Sequence, residues 1–323
     1  TTLNYTLYLR KKLDLSLNYT QIYIIIKEVI KMKINIINAC SDLGVNVDGS
    51  RYSPIKVKEY LKNNENINKI IDVFAEDVVK SNDKNDLEKN IEPLNRFNDK
   101  LYSIVKSAKE EGVFPLTIGG DHSVVIASAL ADISHEDSLG VIWVDTHPDF
   151  NTFETTTSGN IHGLPLATIT NNNGAKLTKF HNGNFFRNEN TVIIGARDID
   201  PLEQVNLDKA KIKVYSTNDV KTKNIREIVQ ESIDIALNKT NGIHLSIDID
   251  VLDPVIAPGI SVGFRDGLTK EQLFEIVDVF MENKDKIKSI DVVEFNPLTD
   301  IDNKTLRITV ELIERIIEKL KEL

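Results

Sequence analysis

The stretch LGVIWVDTHPD (139–149) decides how this chain folds: an unbroken apolar run, 139–144, stops abruptly at Asp145, His147 and Asp149. A short run without polar alternation reads as a strand buried on both faces, the habit of parallel sheets. Similar runs occupy 34–39, 113–118, 191–195, 243–248 and 288–293, all rich in Ile, Val and Leu. Between them lie segments of helical period. In 225–237, Ile225, Ile228, Val229, Ile233, Ala236 and Leu237 share one stripe; in 304–323, Leu306, Val310, Ile313, Ile317 and Leu320 do so. Alternation of this kind predicts an α/β fold: one domain of three layers, α/β/α, around a mostly parallel central sheet.

Composition narrows the function classes. The 323 residues are 41% apolar and 27% charged, with nine Pro and fifteen Gly, which excludes disordered, collagenous and coiled-coil chains. A net charge of −10 argues against nucleic-acid backbones and anionic membranes as partners. One cysteine, Cys40, forbids an internal disulfide and a thiolate zinc cluster. The apolar QIYIIIKEVI (21–30) is interrupted by Lys27 and Glu28 and is too short to span a bilayer. The expectation is a soluble cytoplasmic protein, with 1–31 an extension outside a catalytic unit at 32–323.

Ligands of parallel sheets bind beyond the carboxyl ends of the strands. The run 113–118 ends in Gly119-Gly120-Asp121-His122-Ser123, and 243–247 ends in Asp248-Ile249-Asp250. The run 287–293 ends in Glu294-Phe295-Asn296-Pro297. Four strand ends thus carry His122, Asp145, His147, Asp149, Asp248, Asp250 and Glu294 to one rim. Five acids among these seven groups would repel one another strongly without a cation. Taken singly, a Gly-Gly-Asp-His is a turn and a D-x-D a helix cap; their joint occurrence at strand ends is what points to chemistry. Imidazoles and carboxylates without thiolate suit a divalent ion such as Mn²⁺. Six such ligands exceed the needs of one ion, so two ions sharing carboxylates, about 3.5–4 Å apart around an activated water, is the economical reading.

The motifs GGDHS (119–123), DTHPD (145–149), SIDIDVLDP (246–254) and EFNP (294–297) resemble those of the ureohydrolase family, which includes arginase, agmatinase and formiminoglutamase. GVNVDGSRYSP (44–54) is similar to that family's N-terminal glycine-rich turn, so the resemblance runs from about residue 33 to the C-terminus. It implies one manganese ion held by His122, Asp145, Asp149 and Asp248, and a second by His147, Asp145, Asp248 and Asp250. DFNTFETTTSGNIHG (149–163) resembles the arginase version of the substrate loop. That likeness implies L-arginine as substrate, cleaved to L-ornithine and urea by a hydroxide bridging the metals. Asn151 and Ser158 would take the α-carboxylate and Asp200 the α-amine, with Asn160 and Glu203 assisting through water. Glu294 would anchor the guanidinium, His162 would shuttle protons, and Asp149 would pass a proton to the departing amine. Family resemblance also implies a homo-oligomer, trimer or hexamer. His135, His181 and His244 match no motif and read as structural.

Three departures stand out. Thr146 replaces an alanine, and APGISVGFRDGL (257–268) replaces APGTGTPxxGGL, placing Phe264 and Arg265 near the rim. The segment after Leu268 lacks the Tyr-Arg-Glu that many arginases use in subunit contacts. Two other readings stay open from the sequence: another guanidino hydrolase, such as agmatinase, guanidinobutyrase or formiminoglutamase, and a binding protein that keeps the fold.

Overall fold

The structure, a computed structural model, describes residues 32–322 apart from 82, 84 and 85. The expectation of an N-terminal extension at 1–31 therefore falls outside the described residues. Among the described residues eight strands form one sheet: β1 (Ile34–Cys40), β2 (Ile67–Phe74), β3 (Phe114–Gly119), β4 (Gly140–Val144), β5 (Thr191–Ala196), β6 (Lys213–Ser216), β7 (Ile243–Asp248) and β8 (Ile287–Val293). Their spatial order is β2-β1-β3-β8-β7-β4-β5-β6. Every pairing is parallel.

Both faces of the sheet are covered, as the continuous apolar runs require. Along β4, Ile142 and Val144 enter one core while Val141 and Trp143 enter the other. The first core is completed by helices Ser53–Leu61, Ile225–Ala236, Lys270–Glu282 and Lys304–Lys321. The second is completed mainly by Ile91–Glu110, Val125–Glu136 and Pro165–Ile169. The two helices expected at 225–237 and 304–323 are present, each ending slightly earlier.

Six of the eight strands coincide with the apolar runs; β2 and β6 do not. These are the sheet edges, and β2 shows only one fully buried position. An edge strand packs on one side only and needs no unbroken apolar run, so its sequence signal is weak.

Register aligns the site. Val144 pairs with Ile247, so Asp145 and Asp248, the next residues, stand side by side at the rim. Asp248 pairs with Val293, so Glu294 sits one step further along the neighbouring strand. Ile118 pairs with Val292, which brings the GGDH turn beside Glu294. The four strands bearing the acids and histidines, β3, β8, β7 and β4, are consecutive neighbours in the sheet.

Candidate metal centre and adjoining cavity

The first cluster is built on His122. Its Nδ1 lies 3.0 Å from Oδ2 of Asp145, of Asp149 and of Asp248. Although buried among three carboxylates, Nδ1 makes no hydrogen bond. A nitrogen and three oxygens facing one another without a proton shared in good geometry is the donor set of a cation site. The ring is fixed from behind: Nε2 is 2.9 Å from Ser246 Oγ, and Trp143 stacks on it at 4.1 Å between centroids. Trp143 Nε1 also donates to Asp145 Oδ2 at 2.9 Å.

A second cluster shares Asp145. His147 Nδ1 lies 3.0 Å from Asp250 Oδ2 and 3.6 Å from Asp145 Oδ1. Thus His122–Asp145–Asp149 and Asp145–His147–Asp250 each converge closely enough to hold an ion, with Asp145 common to both. The backbone braces the carboxylates: Asp145 Oδ1 accepts from His147 N at 2.7 Å, and Asp248 Oδ1 from Asp250 N at 2.7 Å.

Charge in this centre is unbalanced. Burial, then the Asp145 charge, pushes Asp149 up to about 7. Burial, then Asp250 and Asp145, raises Asp248 well above the carboxylate range. Burial acts in the same direction on Asp145, yet His122 and His147 hold it low. The acids cannot all ionise at neutral pH on their own, and a bound cation would let them. The chain accepts backbone strain here as well: Asp149 (φ 51) and Glu294 (φ 66) are both left-handed without being glycine.

Beside the clusters opens a cavity of about 310 Å³. Asn151, Ser158, Asn160, His162, Asp200 and Glu203 all line it, together with His147 and Asp149. Segments 151–163 and 198–203 thus meet around one space. Asn151 Nδ2 donates to Asp200 Oδ2 at 3.1 Å, and Asn151 Oδ1 accepts from Thr155 Oγ1 at 2.9 Å. His162 Nδ1 is 2.9 Å from Glu294 Oε1, the oxygen that also accepts from His122 N at 2.9 Å. Glu203 acts on backbone: Oε1 accepts from Phe150 N at 2.7 Å and Oε2 from Asp200 N at 3.2 Å. Burial pushes its carboxyl up to about 8.

The altered segment enters the cavity through Val262, not through Phe264 or Arg265. Arg197 fixes this segment by its backbone: its guanidinium donates to the carbonyls of Asp250, Val251, Leu252, Phe264 and Arg265.

The model of the Arginase family matches residues 32–318. The chain belongs to the arginase family. It is similar to an arginase of Bacillus subtilis (strain 168), 34% identical over 286 residues and 88% of each chain. An arginase of Bacillus caldovelox is 36% identical over 228 residues, 70% of this chain and 75% of that one. The native crystal structure of a Bacillus caldovelox arginase superposes with a TM-score of 0.81 at 32% identity, over 88% of this chain and 98% of that one. A Bacillus subtilis formimidoylglutamase at 18% identity, TM-score 0.73, shares the fold. As a member of the arginase family the chain is a hydrolase. No helix among the described residues is long and apolar enough to cross a membrane.

Several residues of this arginase-family site escaped sequence reading. Asp198 lines the cavity and stands 3.5 Å from His147 Nε2; its D-x-D spacing with Asp200 was the available signal. Ser246 shares a strand face with Asp248, so strand period alone could have found it. Arg197 reaches its carbonyls across more than fifty residues and left no local trace. Of the remaining histidines, His244 is fully buried against Asp291, and His181 Nε2 is 2.9 Å from the Asn184 carbonyl.

Proposed function

We propose that this chain hydrolyses the guanidinium of L-arginine to L-ornithine and urea, with two manganese ions per subunit. One observation carries the reading: the cavity lined by His147 and Asp149 is also walled by Asn151, Ser158, Asn160 and Asp200. The similar proteins named arginase support it.

When bound, divalent ions supply Lewis acidity and lower the pKa of a coordinated water. His122, Asp145, Asp149 and Asp248 would hold one and His147, Asp145, Asp248 and Asp250 the other. The chain's own residues do the rest. Asp200 is an anion suited to the α-ammonium, and its bond from Asn151 uses only one of that amide's two N–H groups. The second N–H and the Ser158 hydroxyl then suit the α-carboxylate. Asn160 bounds the same wall, and Glu203 braces both Asp200 and the 149–151 turn. Glu294 orients the guanidinium. Asp149 would take a proton from the attacking water and pass it to the departing δ-nitrogen as that C–N bond breaks. His162, held by Glu294, returns a proton to the site from solvent.

The unit 32–323 is proposed as the catalytic unit, cytoplasmic and assembled as a trimer or hexamer; light scattering on the purified protein tests the assembly. Urea release from L-arginine and from agmatine, after incubation with Mn²⁺, tests the activity. Release from L-arginine alone is expected. Release from agmatine alone would overturn the substrate assignment, because agmatine offers Asn151 and Ser158 no carboxylate.

A further inference from the structure

Lys89 is 2% exposed, and it sits in the turn just before helix Ile91–Glu110. Its Nζ donates to the main-chain carbonyl of Ser158 at 2.7 Å. The neighbouring acids are engaged elsewhere: Glu88 pairs with Lys176 and Glu92 with Lys179. Among the described residues no carboxylate pairs with this buried ammonium, and an unpaired buried charge is expensive, so what it faces matters. What it faces is the back of the substrate loop. Gly159, next in the chain, has φ +67 and packs so closely on Asp86 and Leu87 that a Cβ there would lie 2.9 Å from each. Segment 86–89 is therefore the seat on which loop 156–160 rests, with Lys89 tying the two together.

The front of the loop poses an electrostatic problem. The cavity lining includes Asp149, Asp198, Asp200 and Glu203, and no lysine or arginine. A ligand carboxylate entering this space meets the carboxylates of Asp198 and Asp200. Hydroxyl and amide donors satisfy its hydrogen bonds but do not offset that field.

We propose that Lys89 is a specificity-determining positioning residue: it fixes the Ser158 peptide and lends its charge, through the loop, to the wall that receives the α-carboxylate. It thereby favours amino-acid ligands over their decarboxylated counterparts. The inference rests on the carboxylate reading of the 151–160 loop above.

The test compares L-ornithine with putrescine, which lacks only the carboxylate, as competitive inhibitors of the Mn²⁺-loaded enzyme. The wild type is measured first. It is expected to bind ornithine more tightly; equal binding would overturn the carboxylate reading and this inference with it. In Lys89→Met, the ornithine inhibition constant and the KM for L-arginine are expected to rise about three- to tenfold, with kcat and putrescine inhibition within about twofold of wild type. Equal weakening of both inhibitors, or no change in either, would overturn the role of Lys89 while leaving the carboxylate reading intact. Lys89→Gln keeps a donor and removes the charge, and it carries the comparison should the Met variant not fold. Wild-type selectivity in Lys89→Gln would show that the charge does not act.

Discussion

Ser246→Ala isolates the support behind the first candidate metal cluster. Ser246 lies on β7, is fully buried, and its hydroxyl is 2.9 Å from His122 Nε2. The stack on Trp143, 6° from parallel, fixes the plane of the ring but not its rotation within that plane. The hydroxyl supplies the second constraint. With Nε2–H donated to Oγ, Nδ1 keeps its lone pair and faces the three aspartate oxygens at 3.0 Å, the tautomer a metal requires. Deleting the hydroxyl leaves a buried N–H unsatisfied, costing about 1–3 kcal/mol, and frees the ring to turn. Lost outer support of this kind weakens metal binding about 10–100-fold, or roughly 1.4–2.7 kcal/mol. The assay is titration of metal-free protein with Mn²⁺, following free ion by electron paramagnetic resonance, beside a thermal melt without metal. A folded variant with affinity unchanged within about twofold would refute the reasoning, since the hydroxyl would then not position a ligand.

Three further outcomes follow from other parts of the molecule. His244 is buried; the Asp291 charge, assisted by Asp132, overcomes burial and raises its pKa to about 9. A pKa raised on folding stabilises fully below about pH 6.5 and the benefit fades as pH rises through 9; roughly 3 kcal/mol should vanish over that window, and urea denaturation of His244→Gln should lack that limb. Removing metal with a chelator should lower the melting temperature, and restoring Mn²⁺ to about 100 times its dissociation constant should return roughly 2.7 kcal/mol; a melt indifferent to Mn²⁺ would contradict the metal centre. Gly120→Ala would put a Cβ 1.7 Å from the Ser41 carbonyl oxygen, so a loss of at least about 3 kcal/mol, or no soluble protein, is expected in a stability assay.

What could be read in the chain depended on whether a residue's neighbours in sequence are also its neighbours in space. The buried strands announced themselves because both faces must be apolar, and the acids at their ends stood out against those runs. Edge strands β2 and β6 did not, because half their surface is free to be polar. The spatial order was equally hidden: β3 and β4 are separated in the sheet by β8 and β7, which come last in the chain. The supports of the site were hidden for the same reason. Lys89 meets Ser158 across 69 positions, and Ser246 meets His122 across 124. No local pattern encodes a contact of that separation. Motif likeness named Asn151, Ser158, Asn160, His162, Asp200 and Glu203, which face the cavity, and only packing revealed what braces their segments.

That separation bears on how the centre forms. Its candidate ligands come from β3, β4 and β7, and β8 with Glu294 must insert between β3 and β7 before His122 N can donate to Glu294 Oε1. The cluster therefore cannot be assembled by any contiguous half of the chain. Its local conformations also oppose it: Asp149 and Glu294 hold left-handed backbones that cost each roughly 1–2 kcal/mol relative to a relaxed one. Asp149 can be held there because its main-chain carbonyl accepts from Leu166 N at 3.0 Å and Ala167 N at 3.3 Å, the first turn of helix Pro165–Ile169. Glu294 is held by its own N–H to the Gly120 carbonyl at 2.8 Å. Both restraints come from segments that lie elsewhere in the chain. Strain and charge are thus borne by the completed sheet, and a cation that relieves the charge adds its binding energy to the folded state alone. Metal affinity and global stability should then fall together in variants at these supports, whereas a surface ion pair such as Arg226–Glu282 should affect neither.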